Sequence, residues 1–584
     1  MLLQSELDPF LYTSGPRSLG TVLIVGEAWG AEELRERKPF VGYSGKELDR
    51  ILFDAGINRS DCLCTNLVDG HPEGNDFTQY LEPNSNKSAV DIRGVKPRSM
   101  LRAGYDKLEA LIDRVKPKLI IGCGNWPLWA LTDHAKVSTQ KGFKLPSGIM
   151  SWRGSQTYTR EIANVKYPYL PIIHPASIMR DWSLRNTTCQ DLRARAKRFL
   201  DGKTTWAAPN YAVLADGNYA PLEEQLRAWI AEADRRSNSD PLWLAVDVET
   251  WKRRYLAVVG IADERMAICI PFFYFDNEGK MVDCFDLEKE NTLNQLIRHL
   301  LSHPMVRITN QNYSYDWQYL YRYLGIETTP SFDTMLAHHL LWPGTPKSLD
   351  YLASLYCDHY CYWKDESQDW DAKSQHEDMW LYNCKDTRKT YEITFALKEI
   401  LAKLPGMPER FEFQMDQWRL ANEMGRRGVR WDSMRATSFL SDLSNLSRQL
   451  STWLNDCMPE DLRFVPSTGK PWFTSTHHTQ YIFYDRLGIA PIMHKKTKRP
   501  TMDKESFEQL KKKSPWIGPM LDKIKLYRSI EVYKNNFLNS TLGPDGRMHP
   551  SFNVGGTETF RWSSSSNAFE EGMNLQNIPK LDED

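Results

Sequence analysis

Short apolar runs alternate with amphipathic stretches through the first two hundred residues. TVLIVG (21–26), CLCTNLV (Cys62–Val68), KLIIGCG (118–124) and PYLPIIH (168–174) read as buried strands. Runs of this length bounded by turn formers suit strands covered on both faces. Between the first three lie segments of helical spacing, 45–55 and 100–115. Strand alternating with helix predicts an α/β layer with a mostly parallel sheet. A stretch containing Pro, Gly and Asn at 207–221 marks the first boundary.

A second α/β unit follows. LWLAVDVET (242–250), YLAVVGIAD (255–263) and RMAICIPFF (265–273) predict three consecutive strands joined by tight turns. Helical patterns cover 291–301, 316–323 and 378–403. From about Pro405 the chain is largely helical and heavily charged, apart from a strand-like HPSFNV beginning at His549. The expected organisation is α/β and multidomain: a first domain over 1–205, a linker over 206–240, a second domain over 241–403, and a mostly helical third over 404–584.

Composition narrows the function classes. Hydrophobic content of 41% and charged content of 26% are those of a globular protein. The most apolar run, 119–131, is broken by Asn125 and Pro127, so no membrane partner is expected. MLLQSELDPF lacks the basic start and apolar stretch of a leader, which predicts a cytoplasmic protein. Ten scattered cysteines do not form a disulfide framework. Cys357, His359 and Cys361 lack the second pair that a zinc site needs, and read as structural. The net charge of −1 excludes a uniformly basic surface but not a local patch: residues 485–534 hold 13 Lys and Arg against 6 Asp and Glu.

Asp247 and Glu249 stand two apart in an apolar strand, so their side chains share one face. Two carboxylates there are costly unless a cation neutralises them, and a divalent metal is the natural choice. Asp316 opens a later helix, and Tyr382 precedes Asp386 by four residues, one helical turn on the same face. Four carboxylates and a tyrosine suit two Mg²⁺ or Mn²⁺ ions about 3.5–4 Å apart, with the tyrosine orienting an attacking water.

Asp247-Val-Glu249, then Gln311-Asn312-x-x-Tyr315-Asp316, then Tyr382-x-x-x-Asp386 resemble the three exonuclease motifs of the proofreading domain of family A DNA polymerases. Phe332-Asp333-Thr334-Met335 and Ser348-Leu349-Asp350 are similar to that family between its second and third motifs. The resemblance implies a ribonuclease H-like fold and metal-dependent 3′→5′ exonuclease activity on a single-stranded 3′ end. Further on, Tyr527-Arg528 with Lys534 resembles the family's basic thumb helix. Thr557-Glu-Thr559-Phe-Arg561-Trp-Ser563-Ser564 and Asn574-Leu-Gln576-Asn577-Ile-Pro579 are similar to the approach to its palm. By that resemblance Arg528, Lys534, Arg561, Gln576 and Asn577 touch primer–template, partly through minor-groove acceptors shared by all base pairs. Phe560 stands where the family has glycine. The rest of the palm and the fingers have no counterpart after Pro579, so polymerisation is expected to need a second polypeptide.

In the first domain Val25-Gly26-Glu27-Ala28-Trp29-Gly30, Pro39-Phe40-Val41-Gly42 with Ser44-Gly45, Thr65-Asn66 and His174-Pro175-Ala176 resemble the family 4 uracil-DNA glycosylases. This implies an α/β/α sandwich in which Glu27 handles water, Phe40 stacks on a flipped base, Asn66 reads its edge and His174 stabilises its departure. Trp29 replaces the family's proline. The cysteines of the family's iron–sulfur cluster have no counterparts, so no cluster is expected. A catalytic glycosylase and a non-catalytic module both remain open here. For the whole chain the expectation is the proofreading, DNA-holding part of a replicative polymerase, in a bacterial host if phage-encoded. A DNA-clamping scaffold and a repair protein combining base removal with trimming are the alternatives.

Overall fold

The computed structural model describes residues 8–367, 370, 376–495 and 497–578; the start of the chain and Pro579 lie outside them. Two compact units are present, one of Met1–Trp251 with Tyr255–Phe411, the other of Lys252–Arg254 with Glu412–Asp584.

The first unit contains two sheets. In the first, β1 (Val22–Ala28), β2 (Cys62–Val68), β3 (Leu119–Cys123), β4 (Thr157–Tyr158) and β5 (Pro168–Ile172) run in the order β2-β1-β3-β5-β4. All neighbours are parallel except the short β4. Side chains of β1 alternate between two cores. Leu23 and Val25 join Leu108, Leu111 and Ile112 of helix α2 (Ser99–Val115), whereas Val22 and Ile24 join Leu48, Ile51 and Leu52 of helix α1 (Tyr43–Ala55). Each such buried aliphatic stabilises the layer by about 1.5–3 kcal/mol, and burial on both faces explains the near-continuous apolar strands. The result is the expected α/β/α sandwich.

In the second sheet β6 (Ala212–Leu214), β7 (Leu242–Trp251), β8 (Tyr255–Ala262), β9 (Met266–Pro271), β10 (Val306–Asn310) and β11 (Phe332–Asp333) lie in the order β11-β10-β7-β8-β9-β6. Strands β7, β8 and β9 form an antiparallel meander, flanked by parallel pairings to β10 and β6. Helices α3 (Tyr219–Asp234), α4 (Leu287–Leu301), α5 (Tyr313–Leu324), α6 (Leu349–Tyr356) and α7 (His376–Lys403) complete the layer, α7 lying across β7, β8 and β9. The stretch expected as a linker, 206–240, contributes β6 and α3. A three-residue strand whose partner lies more than fifty positions away leaves no local periodicity to read.

The second unit is mostly helical. Its long helices α8 (Ser433–Asp456) and α9 (Gly518–Tyr533) pack together, and Leu454, Trp472, Phe473, Phe483, Leu521 and Ile524 share its core. HPSFNV supplies β12 (Pro550–Asn553), antiparallel to β13 (Ser563–Ser566). Phe560 has φ +60°, the left-handed conformation that glycine adopts without strain. The backbone at Phe560 thus makes a glycine-like turn. No described helix is long and apolar enough to cross a membrane.

Candidate active site

The central strand β7 delivers Asp247 and Glu249 to the face on which α7 lies. Ligand oxygens of Asp247, Glu249 and Asp386 all fall within 4.8 Å of one another. Asp386 and Tyr382, one turn apart on α7, are both buried. Asp316 sits in the first turn of α5, 4% exposed, with Oδ1 accepting from the Val248 amide at 2.9 Å. It neighbours Asp247 electrostatically but is tied to the strand backbone, so three of the four expected acids form the tight group and the fourth stands beside it.

Crowded acids in a partly dry site resist ionisation. Burial lifts Asp247 well above the usual carboxylate range, with the charges of Asp316, Asp386 and Glu249 adding to the effect. Glu249 rises to about 7, again mainly by burial and then by the charge of Asp386. Asp316 is raised by burial against the opposing pull of the Val248 amide. Burial, followed by the charge of Asp386, also raises the Tyr382 phenol.

Three residues that sequence reasoning missed organise this cluster. Lys364 Nζ donates to Asp386 Oδ2 at 2.5 Å and to Tyr382 OH at 2.7 Å, bridging the two α7 side chains. Burial opposes its charge, but Asp386 and Tyr382 together hold the ammonium above its ordinary pKa. Trp363 Nε1 donates to Asp386 Oδ1 at 2.5 Å. Asn383, fully buried, donates through Nδ2 to Asp247 Oδ2 at 2.8 Å. Asn383 had a readable signal, since it lies three residues before Asp386 on a helix. Trp363 and Lys364 had none, because they lie in a segment outside any helix or strand.

Further support comes from Asp333, at the end of β11 and fully buried. Its carboxylate accepts from the amides of Tyr313 (2.9 Å), Met335 (2.9 Å) and Leu336 (3.1 Å). It thereby caps both α5 and the helix Thr334–Leu341, and fixes the turn that carries Asp316. Hard oxygen donors from three carboxylates, with no thiol or imidazole among them, fit Mg²⁺ or Mn²⁺.

In the first domain the four expected residues lie as two pairs, Phe40 with Asn66 beside Gly26 and Glu27 with His174 beside Gly124. A Cβ on Gly26 would lie 2.1 Å from Asn66 Oδ1 and 2.7 Å from Phe40 Cζ; one on Gly124 would lie 2.3 Å from Glu27 Oε1 and 3.3 Å from His174 Cβ. Glycine at 26 therefore makes room for Asn66 and Phe40, and glycine at 124 for Glu27 and His174. Burial lowers the His174 pKa, partly offset by the charge of Glu27, and its Nδ1 accepts from the Ala176 amide at 3.2 Å. Glu27 also lines a cavity of about 320 Å³ with Phe77, Asn125 and Trp126. Trp29 is buried edge-on against Tyr12.

In the second unit the expected DNA-contact residues differ in their engagement. Arg528 donates to the Phe473 carbonyl and to Thr479 Oγ1, each at 3.0 Å, and burial lowers its pKa; its guanidinium serves the interior of the unit. Lys534 pairs with Glu531 at 2.8 Å. Arg561, Gln576 and Asn577 are exposed, and Gln576 Nε2 donates to the Trp562 carbonyl at 2.8 Å.

Comparison with known proteins finds two family matches in the chain. Residues 14–199 match the uracil DNA glycosylase superfamily, and residues 222–402 match a 3′-5′ exonuclease family of the A-type DNA polymerases. A type-4 uracil-DNA glycosylase of Pyrobaculum aerophilum is 30% identical over 32% of this chain and 84% of its own length. The DNA polymerase of Bacillus phage SP01 is 22% identical over 96% of this chain. DNA polymerase I of Borreliella burgdorferi is 25% identical over 51% of this chain. The chain spans 63% of the phage polymerase and 31% of the bacterial one. Through residues 14–199 the chain belongs to the uracil-DNA glycosylase superfamily, and it carries behind that domain a 3′-5′ exonuclease domain of the family A polymerase kind.

Proposed function

We propose that the chain removes nucleotides from single-stranded or frayed 3′ ends of DNA, as the proofreading part of a family A polymerase acting in replication. The convergence of Asp247, Glu249 and Asp386 within 4.8 Å, beside Tyr382, carries this reading. Mg²⁺ or Mn²⁺ held by these acids and Asp316 would supply an activated water and charge stabilisation at the phosphorus and the leaving oxygen. Asn383 orients Asp247, while Trp363 and Lys364 orient Asp386. Lys364 donates to the Tyr382 oxygen, which leaves the phenolic hydrogen to orient the attacking water.

Incubation of a 5′-labelled strand with Mg²⁺ or Mn²⁺ tests the reading. Asp247→Ala with Glu249→Ala should abolish shortening, and Tyr382→Phe should slow it less. A folded double variant that trims at the wild-type rate refutes the assignment. Arg561, Gln576 and Asn577 are proposed to contact primer–template. Nucleotide addition would need the remaining palm and fingers, supplied by further polypeptide in the same chain or in a partner that co-purifies with it. For the glycosylase-like domain we favour a non-catalytic role, on the ground that Trp29 replaces the family's proline in the water-handling loop. Abasic sites formed in uracil-containing DNA by the wild-type chain, and lost in His174→Ala, would overturn that preference.

A further inference from the structure

Arg195 belongs to the glycosylase-like domain and is 1% exposed, yet its guanidinium serves the exonuclease domain. It donates to the carbonyls of Cys357 (2.7 Å), Ser354 (2.8 Å) and Asp358 (3.0 Å). These oxygens belong to the last turn of α6 and the residues after it, which a helix end leaves without partners. A cation there also meets the negative end of the helix dipole. Beneath it Arg153 pairs with the buried Asp191 (Nε to Oδ2, 2.8 Å) and donates to Ser354 Oγ at 3.2 Å.

From this anchor residues 358–365 run as a strap with no helix or strand of their own. The Gln156 amide donates to the Tyr360 carbonyl at 2.6 Å, and Gln156 Oε1 accepts from the Tyr360 amide at 3.2 Å. Ser155 Oγ accepts from the Tyr362 amide at 3.1 Å, and Lys136 pairs with Asp365 at 2.8 Å. The next side chains along, Trp363 and Lys364, are those that hold Asp386 and Tyr382. Lys389 of α7 also holds the strap, donating to the His359 carbonyl at 2.9 Å, while the bonds to the backbone of Asp358, Tyr360 and Tyr362 come from Arg195, Gln156 and Ser155 of the first domain.

We propose that the glycosylase-like domain is a working part of the exonuclease site, with Arg195 and Gln156 as positioning residues that act through the strap on Lys364. The proposal rests on the exonuclease reading of the acidic cluster. A Lys side chain has several freely rotating bonds and holds one geometry only when its backbone is fixed. Residues that orient the groups around a metal centre are worth 10–100-fold in activity or metal affinity.

The full-length chain carrying Gln156→Ala, Arg195→Met or Lys364→Met, and each of the first two combined with Lys364→Met, provides the test. Readouts are kcat and KM for trimming a labelled single strand, with hydrogen exchange of amides 358–364. Gln156→Ala and Arg195→Met should each lower kcat about 10-fold with KM within twofold, and should speed exchange along the strap. In the Lys364→Met background neither should lower kcat much further, because residues acting through one another are not additive. A destabilised protein would instead lose active fraction in both backgrounds alike. Arg195 is buried enough that its replacement can prevent folding; Gln156→Ala leaves it in place and decides the matter alone. Folded Gln156→Ala with kcat within twofold of wild type overturns the proposal, and so does a full 10-fold effect on top of Lys364→Met. A wild-type chain that trims nothing in Mg²⁺ or Mn²⁺ removes the exonuclease reading itself, and this proposal with it.

Discussion

The carboxamide of Asn383 occupies the space that Gly260 leaves open: a Cβ on Gly260 would lie 2.2 Å from Asn383 Oδ1. Gly260 is also the residue paired with Asp247 across β7 and β8, so the bond from Asn383 to Asp247 depends on a missing side chain. Gly260→Ala should push Asn383 and the nearby Thr387 away from the sheet. The expected cost is about 1–3 kcal/mol of stability, with a cleavage rate about 10-fold lower. Denaturant unfolding and single-turnover trimming measure the two; an unchanged rate would show that Asp247 needs no such support.

Asp333→Ala removes the acceptor of several buried amides at once. Each amide left unsatisfied costs roughly 1–3 kcal/mol, so a loss of about 3 kcal/mol or more is expected. Because the cap fixes the turn that carries Asp316, trimming should require more Mn²⁺ for half-maximal rate. Lower stability with an unaltered metal requirement would confine Asp333 to capping.

His338 is fully buried between the hydroxyls of Tyr356 (2.7 Å) and Thr345 (2.8 Å), and burial lowers its pKa from 6.5 to about 4. A group that stays neutral in the folded chain contributes stability above pH 6.5 and loses it as pH falls toward 4. The raised carboxyls of the acidic cluster work in the opposite sense, so the comparison must be with a variant. The advantage of wild type over His338→Gln should shrink by about 3 kcal/mol between pH 7 and pH 4. A difference that does not vary with pH would contradict a neutral His338.

Arg561→Ala should weaken binding to primer–template and reduce the slope of log Kd against log salt by about 1 if the guanidinium meets one phosphate. Trimming of a free single strand should stay within twofold. Loss of trimming to the same extent as binding would count against a duplex-specific contact.

Much of this was legible along the chain, and the reasons differ by element. Cys62–Val68 was readable to the residue because a fully buried strand is an unbroken apolar run between turn formers. Asp247 and Glu249 declared a shared face because strand periodicity leaves no choice. Asp247, Glu249 and Asp386 lie within 4.8 Å of one another, whereas the bond that ties the fourth acid, Asp316, to Val248 depends on how β7 and α5 meet, which neither segment encodes alone. By resemblance Arg528 is expected to touch primer–template, and its inward turn toward Phe473 and Thr479 is a tertiary fact. Lys364 lies in an irregular segment 22 residues before its acidic partner, where no period points anywhere.

One family match ends at residue 199 and the next begins at 222, and recombination would be tempted to cut between them. The bonds of Arg195 cross that interval and are completed only by carbonyls 150 or more positions later. A transplanted exonuclease module would arrive with a bare helix end and a slack strap, and the module left behind would keep a buried guanidinium facing nothing. Exchange between lineages therefore has to move both halves together, or to re-evolve the clasp each time, so these two domains should be inherited as a pair.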